Sequence, residues 1–167
     1  MRLAQVNVAR MRGGPEDAVM AGFMAAVEPV YRLAEGSPGF VWRLHGAGGH
    51  VPTCADAVDG WLVVNVSVWT SYEALHQFVY RSHHGGLVRR RGEWFLPTPQ
   101  PSTALWWVAD DERPGLDAAR ARLRVLRREG ASPRAFSLRR RFEADGTRVA
   151  VRDRSGRGPN RSGADRV

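Results

Sequence analysis

The stretch WLVVNVSVW, residues 61–69, decides the fold. Successive side chains of an extended chain point to opposite faces, so Leu62, Val64, Val66 and Val68 form one wholly aliphatic face. Trp61, Val63, Asn65, Ser67 and Trp69 form the other. The aliphatic face must pack under helices. The second face mixes aromatic and polar groups, which suits a pocket wall better than a solvated surface or a dry core.

Working outward, residues 3–9 read as a strand with Leu3, Gln5 and Asn7 on one face and the more apolar Ala4, Val6 and Val8 on the other. Pro15, Glu16 and Asp17 are good first-turn residues. Val19, Phe23, Ala26, Val27, Val30 and Leu33 then recur at helical spacing, which predicts a helix over 16–35 that Pro29 should kink or divide. The SPGF turn leads into a strand over 40–45. The polar, Gly-rich residues 46–60 suit a hairpin connection and are a candidate lid. Thr70 with Glu73 forms a capping box for a helix over 72–81 that buries Leu75, Phe78 and Val79. Gly85 and Gly86 interrupt it, a further helix covers 87–95, and PTPQP stops that helix before a strand over 103–109. An extra C-terminal helix over 114–128 and a short strand-like piece over 135–142 complete the pattern.

The order βαββαβ predicts an α+β fold: a ferredoxin-like four-stranded antiparallel sheet with helices on one face. The other face, partly apolar and rich in Trp, must be covered, and a second copy of the same sheet is the simplest cover. The expected organisation is a domain over 1–142 and a flexible Arg/Gly-rich tail over 143–167.

Charge supports that division. The chain of 167 residues carries a formal charge of +8, and all 25 basic residues are arginine. Residues 139–167 hold nine Arg against four acids, a net of +5 that leaves +3 on the rest. The excess is a property of the tail, whose few apolar residues cannot offset its ordering entropy. The absence of lysine excludes Schiff-base chemistry and P-loop or kinase-type lysines. A single Cys54 excludes an intramolecular disulfide framework and any CxxC site. No apolar run approaches the ~18 residues of a membrane span, so a soluble, cytoplasmic protein is expected, with no membrane partner.

Four segments, PGFVWRL (38–44), NVSVW (65–69), SYEALHQFVYRSHH (71–84) and RRRGEWF (89–95), resemble a bacterial family of unknown function in the dimeric α/β-barrel superfamily, over residues 1–142. More distantly, a strand ending in Asn-x-x-x-Trp and running into a Ser-x-Glu-Ala helix resembles antibiotic-biosynthesis monooxygenases, which act without cofactors on polycyclic phenols and anthrones. That resemblance implies a homodimer of ferredoxin-like sheets forming an α/β barrel. It implies that Asn65 and Trp69 bind and polarise an aromatic substrate's oxygen. One of Arg89, Arg90 and Arg91 matches an arginine used by some of those enzymes; the spacing does not decide which, and Arg91 is taken as the candidate.

Cofactor-free oxygenation needs a substrate anion, a donor that stabilises it, and an apolar pocket that restricts water. Asn65 and the Trp69 indole are candidate donors, and His84 or Tyr80 is the candidate base. Trp42, Trp106 and Trp107 are candidates to stack on a planar ring, with Ser67 and Asn7 as further substrate contacts. Plain core filling is the competing account of the tryptophans, and favourable interaction with a helix C-terminus that of His83 and His84. Adjacent histidines without a nearby carboxylate make no metal site. Haem on His83 or His84 is the alternative cofactor. The favoured reading is a small-molecule monooxygenase of polycyclic aromatic or polyketide-type substrates in secondary metabolism, with no nucleic-acid partner. A cyclase, isomerase or dehydratase, a haem enzyme, and a non-catalytic binding protein are the alternatives.

Overall fold

The computed structural model describes residues 1–46, 53–57, 60–81 and 85–150. Six strands and four α-helices follow in the order β1 (Arg2–Met11), α1 (Ala21–Glu35), β2 (Phe40–Arg43), β3 (Thr53–Ala57), β4 (Gly60–Trp69), α2 (Tyr72–Arg81), α3 (Gly85–Trp94), β5 (Phe95–Leu96), β6 (Thr103–Val108) and α4 (Leu116–Glu129). All strand pairs are antiparallel. β1 and β4 lie side by side at the centre. β6 flanks β1 with β5 beyond it along the same edge, and β2 and β3 pair with successive parts of β4. The resulting order β6–β1–β4–β2 is the ferredoxin-like arrangement expected of βαββαβ.

The alternation in β4 is realised. Val64, Val66 and Val68 join Ala4, Val6, Val8, Trp106 and Val108 in one core cluster, all at most 7% exposed. As expected, this aliphatic face packs under a helix. Ala119, Leu123 and Leu126 of α4 pack on this face, so the helices occupy both faces of the sheet rather than one. The opposite, mixed face, for which a second copy of the sheet was the expected cover, lies under α1, α2 and α3 of the same chain. Four apolar positions at helical spacing, Leu116, Ala119, Leu123 and Leu126, make α4 fit the aliphatic face.

Other expectations shift locally. The helix over 16–35 begins later, because the Asp17 carboxylate accepts a hydrogen bond from the Gly14 amide at 2.6 Å and closes a turn. A short 3-10 turn, Ala18–Met20, precedes α1. Pro29 sits inside an undivided α1. Part of the presumed lid, Thr53–Ala57, is the strand β3, hairpinned onto β4. The piece over 135–142 joins the sheet only by one bridge, in which Leu105 and Phe136 exchange two 2.8 Å hydrogen bonds. Beyond it the chain folds back, with the Val149 amide donating to the Arg141 carbonyl.

If α4 is an integral cover, Leu123→Ala should cost about 2–5 kcal/mol of unfolding free energy, measured by urea denaturation. A loss below about 1 kcal/mol would mean that α4 does not hold down the aliphatic face.

Candidate functional site

The face of β4 opposite the valines becomes the floor of a cavity. Register places Asn65 directly against Asn7, and Asn7 against Thr103 on its other side. Two residue pairs along, Ser67 lies against Gln5 and Arg43 against Ser67. A polar strip therefore crosses the sheet. Its roof is apolar: Phe23, Val27 and Ala34 from α1, Leu75 and Phe78 from α2, and Trp94 from α3. The space between is about 340 Å³, within the size range of small-molecule sites.

Three polar groups of the floor are each tied on one side. Asn7 Nδ2 donates to Thr103 Oγ1 at 2.7 Å. The Tyr31 hydroxyl, from α1, donates to Asn65 Oδ1 at 3.0 Å. The Trp69 indole N–H donates to Ser67 Oγ at 2.9 Å. Trp69 is 1% exposed, stacked on Phe78 with centroids 5.1 Å apart and meeting Phe40 edge-on at 5.3 Å. It is a rigid wall whose one donor is already spent on Ser67.

Arg43 is the buried cation of the site. Its Nε donates to Glu35 Oε1 at 2.7 Å, and its guanidinium carbon lies 3.9 Å from the Tyr31 ring centroid. The Arg43 side chain is 8% exposed and that of Glu35 41%. Burying a guanidinium is costly unless it is paired and hydrogen-bonded; the carboxylate and the aromatic face together offset that cost. A bulge puts Arg43 here. β2 slips register between Phe40 and Trp42, so Phe40 pairs with Trp69, Trp42 with Val68 and Arg43 with Ser67. A single inserted residue reverses which face each later side chain takes.

Of the residues expected from sequence, Asn65, Ser67, Asn7, Trp69 and Arg91 line the cavity, with Arg91 exposed. Trp42 and Trp106 do not: the bulge sends Trp42, and pairing with Ala4 sends Trp106, to the α4 side of the sheet. Trp107 shares the polar strip's face but lies at its far end, its indole donating to the Phe142 carbonyl at 2.7 Å. Tyr80 is 61% exposed on the outer side of α2, its ring 4.6 Å from that of His76, and it does not line the cavity. His84, like His83, lies outside the described residues, as does the Arg89 side chain. Glu93 pairs with Arg90, at 2.9 Å.

Tyr31, Arg43 and Thr103 enter the site without having been singled out. The signal for Tyr31 was present, because Phe23, Val27 and Tyr31 recur every fourth residue. Among the described lining residues the ionisable side chains are Tyr31, Arg43 and Arg91, with no carboxylate and no imidazole. Among the described residues no cluster of His, Cys, Asp or Glu could hold a metal ion. Tyr31 is the one described lining residue of a type that ligates haem iron, and its hydroxyl is engaged by Asn65; these residues do not fit a haem. A second, small hollow lies between Tyr72, Trp107 and Arg141. Burial pushes the Tyr72 phenol above its ordinary range, opposed by Arg141, whose guanidinium lies 4.0 Å from the ring centroid.

The model of the family described as a domain of unknown function, DUF3291, matches residues 2–152. The chain belongs to this family. No curated protein matches the sequence significantly. Two solved structures are remotely similar. One is SnoaB, a cofactor-independent oxygenase from Streptomyces nogalater, at 18% identity and a TM-score of 0.43, covering 68% of this chain and 98% of that one. The other is NE2512, a protein of unknown function from Nitrosomonas europaea, at 12% identity and a TM-score of 0.45, covering 68% and 95%.

Ser67→Ala should destabilise the fold by about 1–3 kcal/mol, because it strands the buried Trp69 N–H. Tyr80→Phe, on the outside of α2, should stay within about 0.5 kcal/mol of the parent. Denaturation curves of the two variants check the contrast, and equal stabilities would contradict the Ser67–Trp69 bond.

Proposed function

We propose that the protein is a small-molecule enzyme, a cofactor-independent monooxygenase oxidising a polycyclic aromatic or polyketide-type substrate. The observation that carries this reading is the Asn65 amide. Its Oδ1 is held by Tyr31, which leaves the Nδ2 donor to a ligand, on a polar floor beneath an apolar roof. Arg43, fixed over Tyr31, adds positive charge at the same corner. A neutral donor beside a buried cation stabilises an oxyanion in a site that restricts water.

The reaction balances without a bound redox group. The substrate gives up a proton to solvent to become an enolate or phenolate whose oxygen accepts the Asn65 N–H. The electron-rich carbon passes an electron to O₂, and the radical pair couples to form a C–O bond. The peroxide takes a proton and loses water, leaving a carbonyl at the former CH₂; one oxygen atom ends in the product and the other in water. Trp69 and Phe78, already stacked, give a flat wall for the ring system.

The sequence resemblance implies a homodimer, and the single Cys54 with no long apolar run points to the cytoplasm. Because α4 covers the aliphatic face and α1, α2 and α3 the mixed one, such a dimer must form on surfaces other than a bare sheet face.

Asn65→Ala should lower kcat for oxygen consumption with an anthrone or polycyclic phenol by about 10²-fold, with the fold intact by circular dichroism. Turnover should vanish without oxygen. Undiminished consumption in the variant, or equal turnover under nitrogen, would overturn the assignment.

A further inference from the structure

We propose that the floor reads its ligand with two amides set in opposite senses, and so selects a planar molecule that carries a hydrogen-bond donor next to its carbonyl or oxyanion. The proposal rests on reading the cavity as a small-molecule site and adds the chemical class of what enters it.

Asn7 and Asn65 are direct partners across β1 and β4, so their side chains stand side by side on one face. Each is committed through a different end. Asn7 gives its NH₂ to Thr103 Oγ1, which leaves Oδ1, an acceptor. Asn65 receives the Tyr31 hydroxyl on Oδ1, which leaves Nδ2, a donor. Among the described residues no other protein hydrogen bond engages either amide, and both residues line the cavity. The floor thus presents an acceptor beside a donor. An asparagine alone can rotate its amide to suit any partner. Here a hydroxyl anchors each amide, Thr103 from β6 and Tyr31 from α1, and the structure holds the two in opposite senses; Tyr31 is itself held against Arg43.

The complementary ligand edge has an acceptor facing Asn65 and an O–H or N–H facing Asn7. Cyclic amides have this edge. A ligand with a second acceptor in place of the donor would set lone pair against lone pair at Asn7 Oδ1. Sites built to hydrogen-bond a group discriminate strongly against analogues that leave their buried polar atoms unpaired.

Isoquinolin-1(2H)-one and isocoumarin share one outline and differ in an N–H against a ring oxygen beside the carbonyl. Their affinities can be measured anaerobically by quenching of tryptophan fluorescence, since Trp69 and Trp94 line the cavity. The lactam should bind about 10-fold tighter than the lactone, the worth of one hydrogen bond. Asn7→Ala should bring the ratio to about one by weakening the lactam alone, and Asn65→Ala should weaken both. Tyr31→Phe and Thr103→Val, which keep both amides and free them to turn, should reduce the ratio while the lactone still binds. Equal affinities in the parent protein, a ratio unchanged in Asn7→Ala, or no binding of either probe would overturn the proposal. Selective binding without oxygen consumption by any phenol would sustain the ligand class and remove the oxygenase assignment; Asn65-dependent oxygen consumption without selectivity would do the reverse.

Discussion

The antiparallel register between β1 and β4 is the constraint on which the molecule depends. Eight consecutive pairs, from Leu3 with Trp69 to Arg10 with Leu62, bring Val6 against Val66 and Asn7 against Asn65. A slip of one residue would send every side chain of one strand to the wrong face. The valines would then meet the cavity, and the asparagines would lie under α4. The apolar burial on the α4 side, with Val6 and Val68 fully excluded from solvent, penalises that slip heavily. The hydrophobic core and the polar floor are thus two readouts of one pairing, and the stability of the first positions the chemistry of the second.

A strip of amides and hydroxyls between a sheet and three helices would be unfavourable if left unpaired. It is tolerated because each group is half satisfied within the chain: Asn7 by Thr103, Asn65 by Tyr31, and Ser67 by Trp69. The same bonds hold the groups still, so little reorganisation remains to be done when a ligand arrives. Arg43 follows the same logic, anchored by Glu35 on one side and Tyr31 on the other. Its charge is fixed in place where the surroundings screen it weakly.

Much of this was legible in the sequence where one period governs a long element. β1 and β4 run uninterrupted, so strict alternation sorts Asn7, Asn65 and Ser67 from the valines without ambiguity. Alternation also forbids adjacent Trp106 and Trp107 from sharing a face, and neither reaches the cavity. It misleads in β2, because the bulge after Phe40 is a backbone event with no side-chain signature in FVWR; counting by twos from Phe40 brings in Trp42 and leaves out Arg43. Of the apolar positions that predicted the helix over 16–35, Val30 lines the cavity, while Val19 and Leu33 are exposed. The line through Phe23, Val27 and Tyr31 faces the floor. The function of α4 depended on tertiary contact that no local pattern specifies: its amphipathic spacing was plain, but which surface it would cover was not.

The central claim is that the polar face of β4 is the floor of a ligand site and Asn65 its donor. The most direct measurement is a crystal structure of the protein with a planar phenol or cyclic ketone bound. The account predicts electron density between the sheet and α1, with a ligand oxygen within about 2.7–3.2 Å of Asn65 Nδ2 and the ring against Trp69. Well-defined ligand density elsewhere, with the space above Asn65 holding only solvent, would contradict it.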